Sequence, residues 1–208
     1  MRQTAFAFIS YAGIFHMLGS GVSRNQGSDL VKFCGNCGAS LEGREFEHRT
    51  RLYCPKCGQI HYDQLKVGAG GIIECDGKLL LLQRTKAPFE HCWNLPAGYV
   101  ESDESPPQAV IREVNEETGL MVEVEELIDV YFFADDPRGN GILIVYKCRS
   151  VGGELTASAE GDNPTYFEGC DIPGELAGGG HNQAILTWKR GKSAELDASS
   201  GCRKQEIQ

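Results

Sequence analysis

One stretch constrains this chain more than any other: Gly98 to Leu120, GYVESDESPPQAVIREVNEETGL. Ser105 followed three residues later by Gln108 is a capping-box start, and Pro106 stands at the first helical position, where its missing N–H costs nothing. Gly119 falls where a left-handed cap ends a helix. The spacing therefore predicts a helix over 106–118. Within it Glu113, Glu116 and Glu117 lie at i, i+3 and i+4, so three carboxylates share one face. Val110, Ile111 and Val114 form an apolar face turned about 100° from the acidic one. Such a helix can lie on a sheet and still show its acids to a cleft. Carboxylates this close repel one another unless a positive charge sits among them. Hard divalent cations with oxygen ligands, Mg²⁺ first and Mn²⁺ next, are the natural occupants. Arg112, fixed in charge and forked, is suited to holding one carboxylate in place.

A second pattern lies upstream. Phe33-Cys34-Gly-Asn-Cys37-Gly38 and Tyr53-Cys54-Pro-Lys-Cys57-Gly58 form an internal duplication. Two Cys-x-x-Cys knuckles facing each other give a closed tetrahedral site for a structural Zn²⁺. The alternatives are a pair of disulfides, which needs an oxidising compartment, and a redox pair, which expects one motif and a following helix. A module this small cannot fold on its apolar residues alone, so the metal would supply much of its folding energy. The other cysteines, Cys75, Cys92, Cys148, Cys170 and Cys202, have no ligand spacing and read as core or incidental thiols.

At 208 residues and 41% hydrophobic content, the chain can hold one well-buried domain plus a small module. The net charge of −9 argues against nucleic acid as the main partner and against a membrane surface held through a basic patch. It leaves phosphate substrates open, because bound metal inverts the local electrostatics. Four segments follow: 1–30 outside the fold, 31–63 a metal-held ribbon, 65–190 the main domain, and a disordered tail over 191–208. Residues 1–28 carry no acid and two arginines, and read as a poor targeting segment or as an overextended start ahead of Met17. The expected location is cytoplasmic, or organellar if those residues are a transit segment.

In the main domain, Lys66–Glu74, Leu79–Gln83, Met121–Phe133 and Ile142–Cys148 read as strands, with a tight hairpin turn at 75–78. A further turn at Gly152-Gly153, an acidic loop at Glu160-Gly-Asp162 and a short strand near Tyr166-Phe167 follow. Ala184, Ile185 and Trp188 mark the apolar face of a last helix. Trp93 reads as packing, Arg84 and Lys86 as loop charges more often than phosphate ligands, and His181 as a cap or packing residue more often than a substrate contact. Strands on either side of one helix, then a terminal helix, make a mixed α/β domain.

Gly98, Glu104, Arg112, Glu113, Glu116, Glu117 and Gly119 stand at the spacings Gly-x5-Glu-x7-Arg-Glu-[aliphatic]-x-Glu-Glu-x-Gly-[aliphatic], and so the stretch resembles the Nudix box. The resemblance implies an α/β/α sandwich preceded by a Cys₄ zinc ribbon, and Mg²⁺-dependent hydrolysis of the pyrophosphate in a nucleoside diphosphate linked to another group. Carried across, Glu113, Glu116 and Glu117 are the main metal ligands, with the Gly98 carbonyl as a further one. Glu104 completes the acidic network and Arg112 orients it. The general base comes from the box or from a later loop, where Glu160 and Asp162 stand. Cys34, Cys37, Cys54 and Cys57 are the zinc ligands. A homodimer acting on a small nucleotide is the implied assembly.

A zinc ribbon ahead of such a domain is also similar to the NADH pyrophosphatases. That subgroup carries a Ser-Gln-Pro-Trp-Pro-Phe-Pro-type run after the box, where this chain reads MVEVEELIDVYFFADDPRGNG. The surroundings of Trp93–Glu101 and of Gly-Gly-His181 are closer to the zinc-ribbon proteins that include FAD and ADP-ribose pyrophosphatases. The alternatives are NADH or NAD cleavage, or a nucleotide-sensing regulator without catalysis.

Overall fold

The computed structural model describes residues 32–157 and 161–202, so the expectations for residues 1–30 and for Glu160 lie outside the described residues. The ribbon is a three-stranded antiparallel sheet of β1 (Glu42–Phe46), β2 (Arg49–Tyr53) and β3 (Ile60–His61). One Cys-x-x-Cys knuckle precedes β1 and the other joins β2 to β3. Both are closed alike, with the Gly38 N–H donating to the Cys34 carbonyl at 2.8 Å and the Gly58 N–H to that of Cys54 at 2.9 Å. The duplicated sequence is thus a duplicated turn.

The main domain runs β4 (Lys66–Cys75), β5 (Lys78–Arg84), β6 (Trp93–Asn94), β7 (Ala97–Tyr99), α1 (Pro106–Thr118), β8 (Leu120–Phe133), β9 (Gly141–Gly153), β10 (Gly161–Phe167) and α2 (His181–Cys202). The sheet order is β10-β5-β4-β9-β8, with β6 on β5 and β7 on β4. Only β4 and β9 pair in parallel. Successive strand residues point to opposite faces, and here each face has its own helix. Ile73 and Leu80 pack with Ala109, Val110 and Val114 of α1. Ile72, Leu79 and Leu81 pack with Ala184, Ile185 and Trp188 of α2. The result is an α/β/α sandwich with a core on each side of the sheet. Burying Val110 and Val114 fully stabilises the α1 layer by about 1.5–3 kcal/mol each, as upper values.

α1 starts and stops where its caps predict. The Ser105 N–H donates to Gln108 Oε1 at 2.9 Å, and Gly119 closes the helix in the left-handed region at φ 72°. A Cβ there would lie 2.5 Å from the Glu154 carbonyl, so the cap needs glycine for space as well as for φ.

Four expectations are corrected. Ile111 is 39% exposed, and Ala109 takes its place on the buried face of α1. β9 runs on through the expected turn to Gly153, because β8 pairs with it as far as Gly153↔Leu120. Gly161-Asp162 is strand rather than loop, since β10 pairs with β5 from Gly161↔Arg84 onward. Helix α2 continues through the expected tail to Cys202. Its middle is tied down where the Trp188 indole N–H donates to Glu74 Oε1 at 2.5 Å and Lys192 Nζ lies 3.0 Å from Glu74 Oε2. Among the described residues no helix is long and apolar enough to cross a membrane.

Candidate active site and metal centres

The chemistry-bearing half of α1 is organised by one guanidinium. Arg112 spends its N–H groups on Glu104 (2.6 Å and 3.1 Å, bidentate), Glu113 (2.8 Å), Glu116 (3.0 Å) and the Tyr99 carbonyl (3.1 Å). Five donors in a fixed fork meet five acceptors, which locks the loop after β7 to the helix. The Arg112 fork, followed by the Glu101 N–H at 3.1 Å, holds the Glu104 carboxyl below the usual carboxylate range. Glu104 first, then Glu113, keeps Arg112 more firmly protonated than an isolated arginine.

The three glutamates of the box have separate fates. Glu117 is buried, and its Oε2 accepts the Ala97 N–H at 2.9 Å. Glu113 is half-buried, and burial pushes its carboxyl up despite Arg112 beside it. It lies against Gly98 so closely that a Cβ there would sit 2.0 Å from Glu113 Oε1. Glu116 is exposed, is turned to Arg112, and does not line the cleft. The trio shares a helical face as predicted, yet its carboxylates do not all come within 4.8 Å of one another. Arg112 Nη1 holds Glu113 and Glu116, while the Ala97 N–H holds Glu117 separately.

Gly98, Glu113 and Glu117 open onto a cleft of about 340 Å³. The same cleft is lined by the cations of Arg84, Lys86 and Arg138. Arg84 donates to the Pro88 carbonyl at 2.9 Å, and Arg138 is gripped by the buried Asp136 through three contacts of 2.7–3.1 Å. The far end is lined by Phe89, Gly178 and His181. Burial, with Arg84 and Arg138 nearby, pushes His181 down to about 3, so the imidazole is neutral across the physiological range. Its Nδ1 is buried without a hydrogen-bond partner among the described residues. An anionic group can sit against the arginines and lysine of this lining if a cation neutralises the acids. A carboxylate whose ionisation burial opposes is a group that such a cation relieves.

Three of these residues carried weak signals or none. Arg84, Lys86 and His181, which in sequence look like loop charges and a cap or packing residue, all line the cleft. Arg138 and Asp136 sat in what reads only as a turn, although Asp-x-Arg at i and i+2 is the one local hint of the pair. Trp93 packs as expected, edge-on to Phe167 with ring centroids 4.8 Å apart. Glu104 stands behind Arg112 rather than in the cleft lining, and Asp162 belongs to β10.

The ribbon holds the second centre. All four Sγ atoms of Cys34, Cys37, Cys54 and Cys57 lie within 4.8 Å of one another, with Cys34–Cys57 at 3.7 Å and Cys37–Cys54 at 3.5 Å. These separations are far beyond the ~2.05 Å of a disulfide. A tetrahedron with zinc–sulfur arms of about 2.3 Å has edges of about 3.8 Å, so the thiols fit a structural Zn²⁺. Without a metal the four thiols share their protons unevenly: the Gln59 backbone N–H lowers the Cys57 thiol, while the neighbouring thiols raise that of Cys37.

Comparison with known proteins identifies both parts of the chain. The NUDIX domain family matches residues 64–171, and the Nudix N-terminal zinc-ribbon family matches residues 32–63. The chain is 42% identical over 129 residues to an ADP-ribose pyrophosphatase of Methanocaldococcus jannaschii, covering 60% of this chain and 75% of that protein. It is 30% identical over 147 residues to the NAD-capped RNA hydrolase NudC of Stutzerimonas stutzeri, covering 71% of this chain but only 51% of that one. Among solved structures, a NUDIX hydrolase from Nitrosomonas europaea superposes with a TM-score of 0.68 at 31% identity, covering 77% of this chain and 91% of the other.

Proposed function

The chain belongs to the Nudix family, and from that premise we propose that it hydrolyses the diphosphate bridge of a nucleoside diphosphate linked to a second group, ADP-ribose before FAD, with Mg²⁺ as the working cation. The observation that carries this reading is the gathering of opposite charges in one cleft: Glu113 and Glu117 beside Gly98, together with Arg84, Lys86 and Arg138. Residues that would hold the cation are Glu113 and Glu117, with the Gly98 carbonyl as a neutral ligand; Glu116, outside the cleft lining, would join them only by turning away from Arg112. A cation held there polarises phosphoryl oxygens and lowers the pKa of its water. The chain's own residues do the rest. Arg112 fixes Glu113 and Glu116, the Ala97 N–H fixes Glu117, and the anchored Arg138 and Arg84 meet phosphate charge without having to reorganise. Neutral His181 offers a hydrogen-bonding group at the far end of the cleft without adding charge.

ADP-ribose comes first because the pyrophosphatase relative is matched at higher identity and over more of its length than the NudC relative. The missing Ser-Gln-Pro-Trp-Pro-Phe-Pro-type run also weighs against NADH. A regulator that binds without cleaving has no need for every box acid to be retained. The test is a screen of dinucleotides and nucleotide sugars with Mg²⁺ and with Mn²⁺, identifying the products. ADP-ribose should yield AMP and ribose 5-phosphate; tight binding with no product from any substrate would leave the regulator standing.

A further inference from the structure

The ribbon carries a surface that the hydrolase site does not use. In β1 and β2 the register pairs Arg44 with Arg51 and Phe46 with Arg49, so these four residues and Tyr53 share one face of the sheet. Tyr62 extends it, with Arg51 Cζ 4.4 Å from its ring centroid, and Arg44 Cζ lies 4.5 Å from that of Tyr53. Phe46 and Tyr53 touch at 5.8 Å between centroids. Glu42, opposite Tyr53, is the one acid on the two paired strands' shared face. Arg112, Arg138 and Arg149 each pair with a carboxylate, whereas among the described residues Arg44, Arg49 and Arg51 have none within 4.0 Å. The Nε of Arg51 is enclosed without a hydrogen-bond acceptor. In a chain of net charge −9, positive charge has thus been gathered on one small face, with no ion-pair partner for its three arginines among the described residues.

We infer that this face is a docking surface for single-stranded nucleic acid. Arginines interleaved with aromatic rings supply the two things such a strand needs. Cations track the phosphates, and ring and guanidinium planes receive unstacked bases. A second copy of the chain is the other conceivable occupant. Its acidic stretch on β8 is largely engaged at home, Glu123 and Glu125 by Arg149 and Glu125 and Glu126 by Lys147, which leaves Asp129 as the strand's one acid outside an ion pair among the described residues. Charge complementarity therefore favours the polynucleotide.

The experiment uses the full zinc-loaded chain and a short labelled single-stranded oligoribonucleotide, followed by fluorescence anisotropy across a salt series. Three arginines predict a log–log salt slope of about −2, at about −0.7 per neutralised phosphate. The variant Arg44→Ala/Arg49→Ala/Arg51→Ala should lose about tenfold or more in affinity and most of that slope, and Tyr62→Ala about fivefold or more. Zinc content and hydrolysis of free ADP-ribose should not change in either, and these readouts test the fold and the hydrolase reading separately. The inference is overturned if the triple variant binds like the parent chain, or if a duplex of the same sequence binds as tightly as the single strand. It is equally overturned if the substitutions leave binding alone and instead change the mass of the particle by light scattering, which would make this face an interface between copies.

Discussion

Gly98→Ala isolates the positioning of Glu113 from everything else in the site. Gly98 does not occupy the left-handed region, so alanine suits the backbone there and only space is at issue. The new Cβ would stand 2.0 Å from Glu113 Oε1, and the carboxylate must retreat by about 1.4 Å to reach ordinary contact. It is the end of a flexible side chain, so the fold can yield, at the cost of the charge-assisted 2.8 Å bond from Arg112, about 1.5–3 kcal/mol. Turnover cannot yield so cheaply. A misplacement of about 1 Å costs on the order of 10²-fold, so kcat should fall by about 100-fold or more while Tm drops by only a few degrees. The assay is steady-state release of AMP from ADP-ribose at saturating Mg²⁺, with thermal unfolding measured on the same preparation. Near-normal kcat in Gly98→Ala would refute the claim that Glu113 works where the structure places it. An equal loss in kcat and in folded fraction would show the effect to be stability alone.

Three further outcomes follow from the same geometry. Cys54→Ser should bring zinc below one ion per chain and open residues 34–57 to proteolysis, read by metal analysis and limited digestion, because a closed Cys₄ site supplies the ribbon's folding energy. The folded chain keeps His181 neutral down to about 3 while the unfolded chain protonates it near 6.5, so stability is intact above 6.5 and falls as pH drops below it. Denaturant melts should lose about 1.4 kcal/mol per pH unit in that window through this residue, and His181→Asn should flatten that part of the profile. Asp136→Asn, which loosens the grip on Arg138, should raise the KM for ADP-ribose more than it lowers kcat; an unchanged KM would remove Arg138 from substrate binding.

What could be read from the chain alone was what is local. Caps, a terminal glycine and 3.6-residue periodicity place α1 to the residue, and two repeated knuckles announce the ribbon. Failures began where neighbours decide. Helical spacing puts three glutamates on one face, but it does not say that Arg112 will claim Glu113 and Glu116 or that a main-chain N–H will claim Glu117. Ile111 and Ala109 flank the same stripe, and which of them is buried depends on the approach of the sheet. β10 is a strand because β5 lies beside it, and its own residues, with Pro164 and Gly161, do not advertise one. The cationic residues of the cleft, 84, 86 and 138, and the neutral His181 are far apart in sequence and are brought together only by the order of the strands.

The central claim is that carboxylates seated by Arg112 and the Ala97 amide let water break a diphosphate bridge. It is tested most directly by titrating magnesium-free, zinc-loaded chain with Mg²⁺ and measuring AMP release from ADP-ribose in parent, Glu113→Gln and Glu117→Gln proteins. Activity should rise from zero with Mg²⁺ in the parent and fall by orders of magnitude in both variants, with Tm preserved. Cleavage that needs no added divalent ion, or that survives in either variant at near-parent rate, would contradict it.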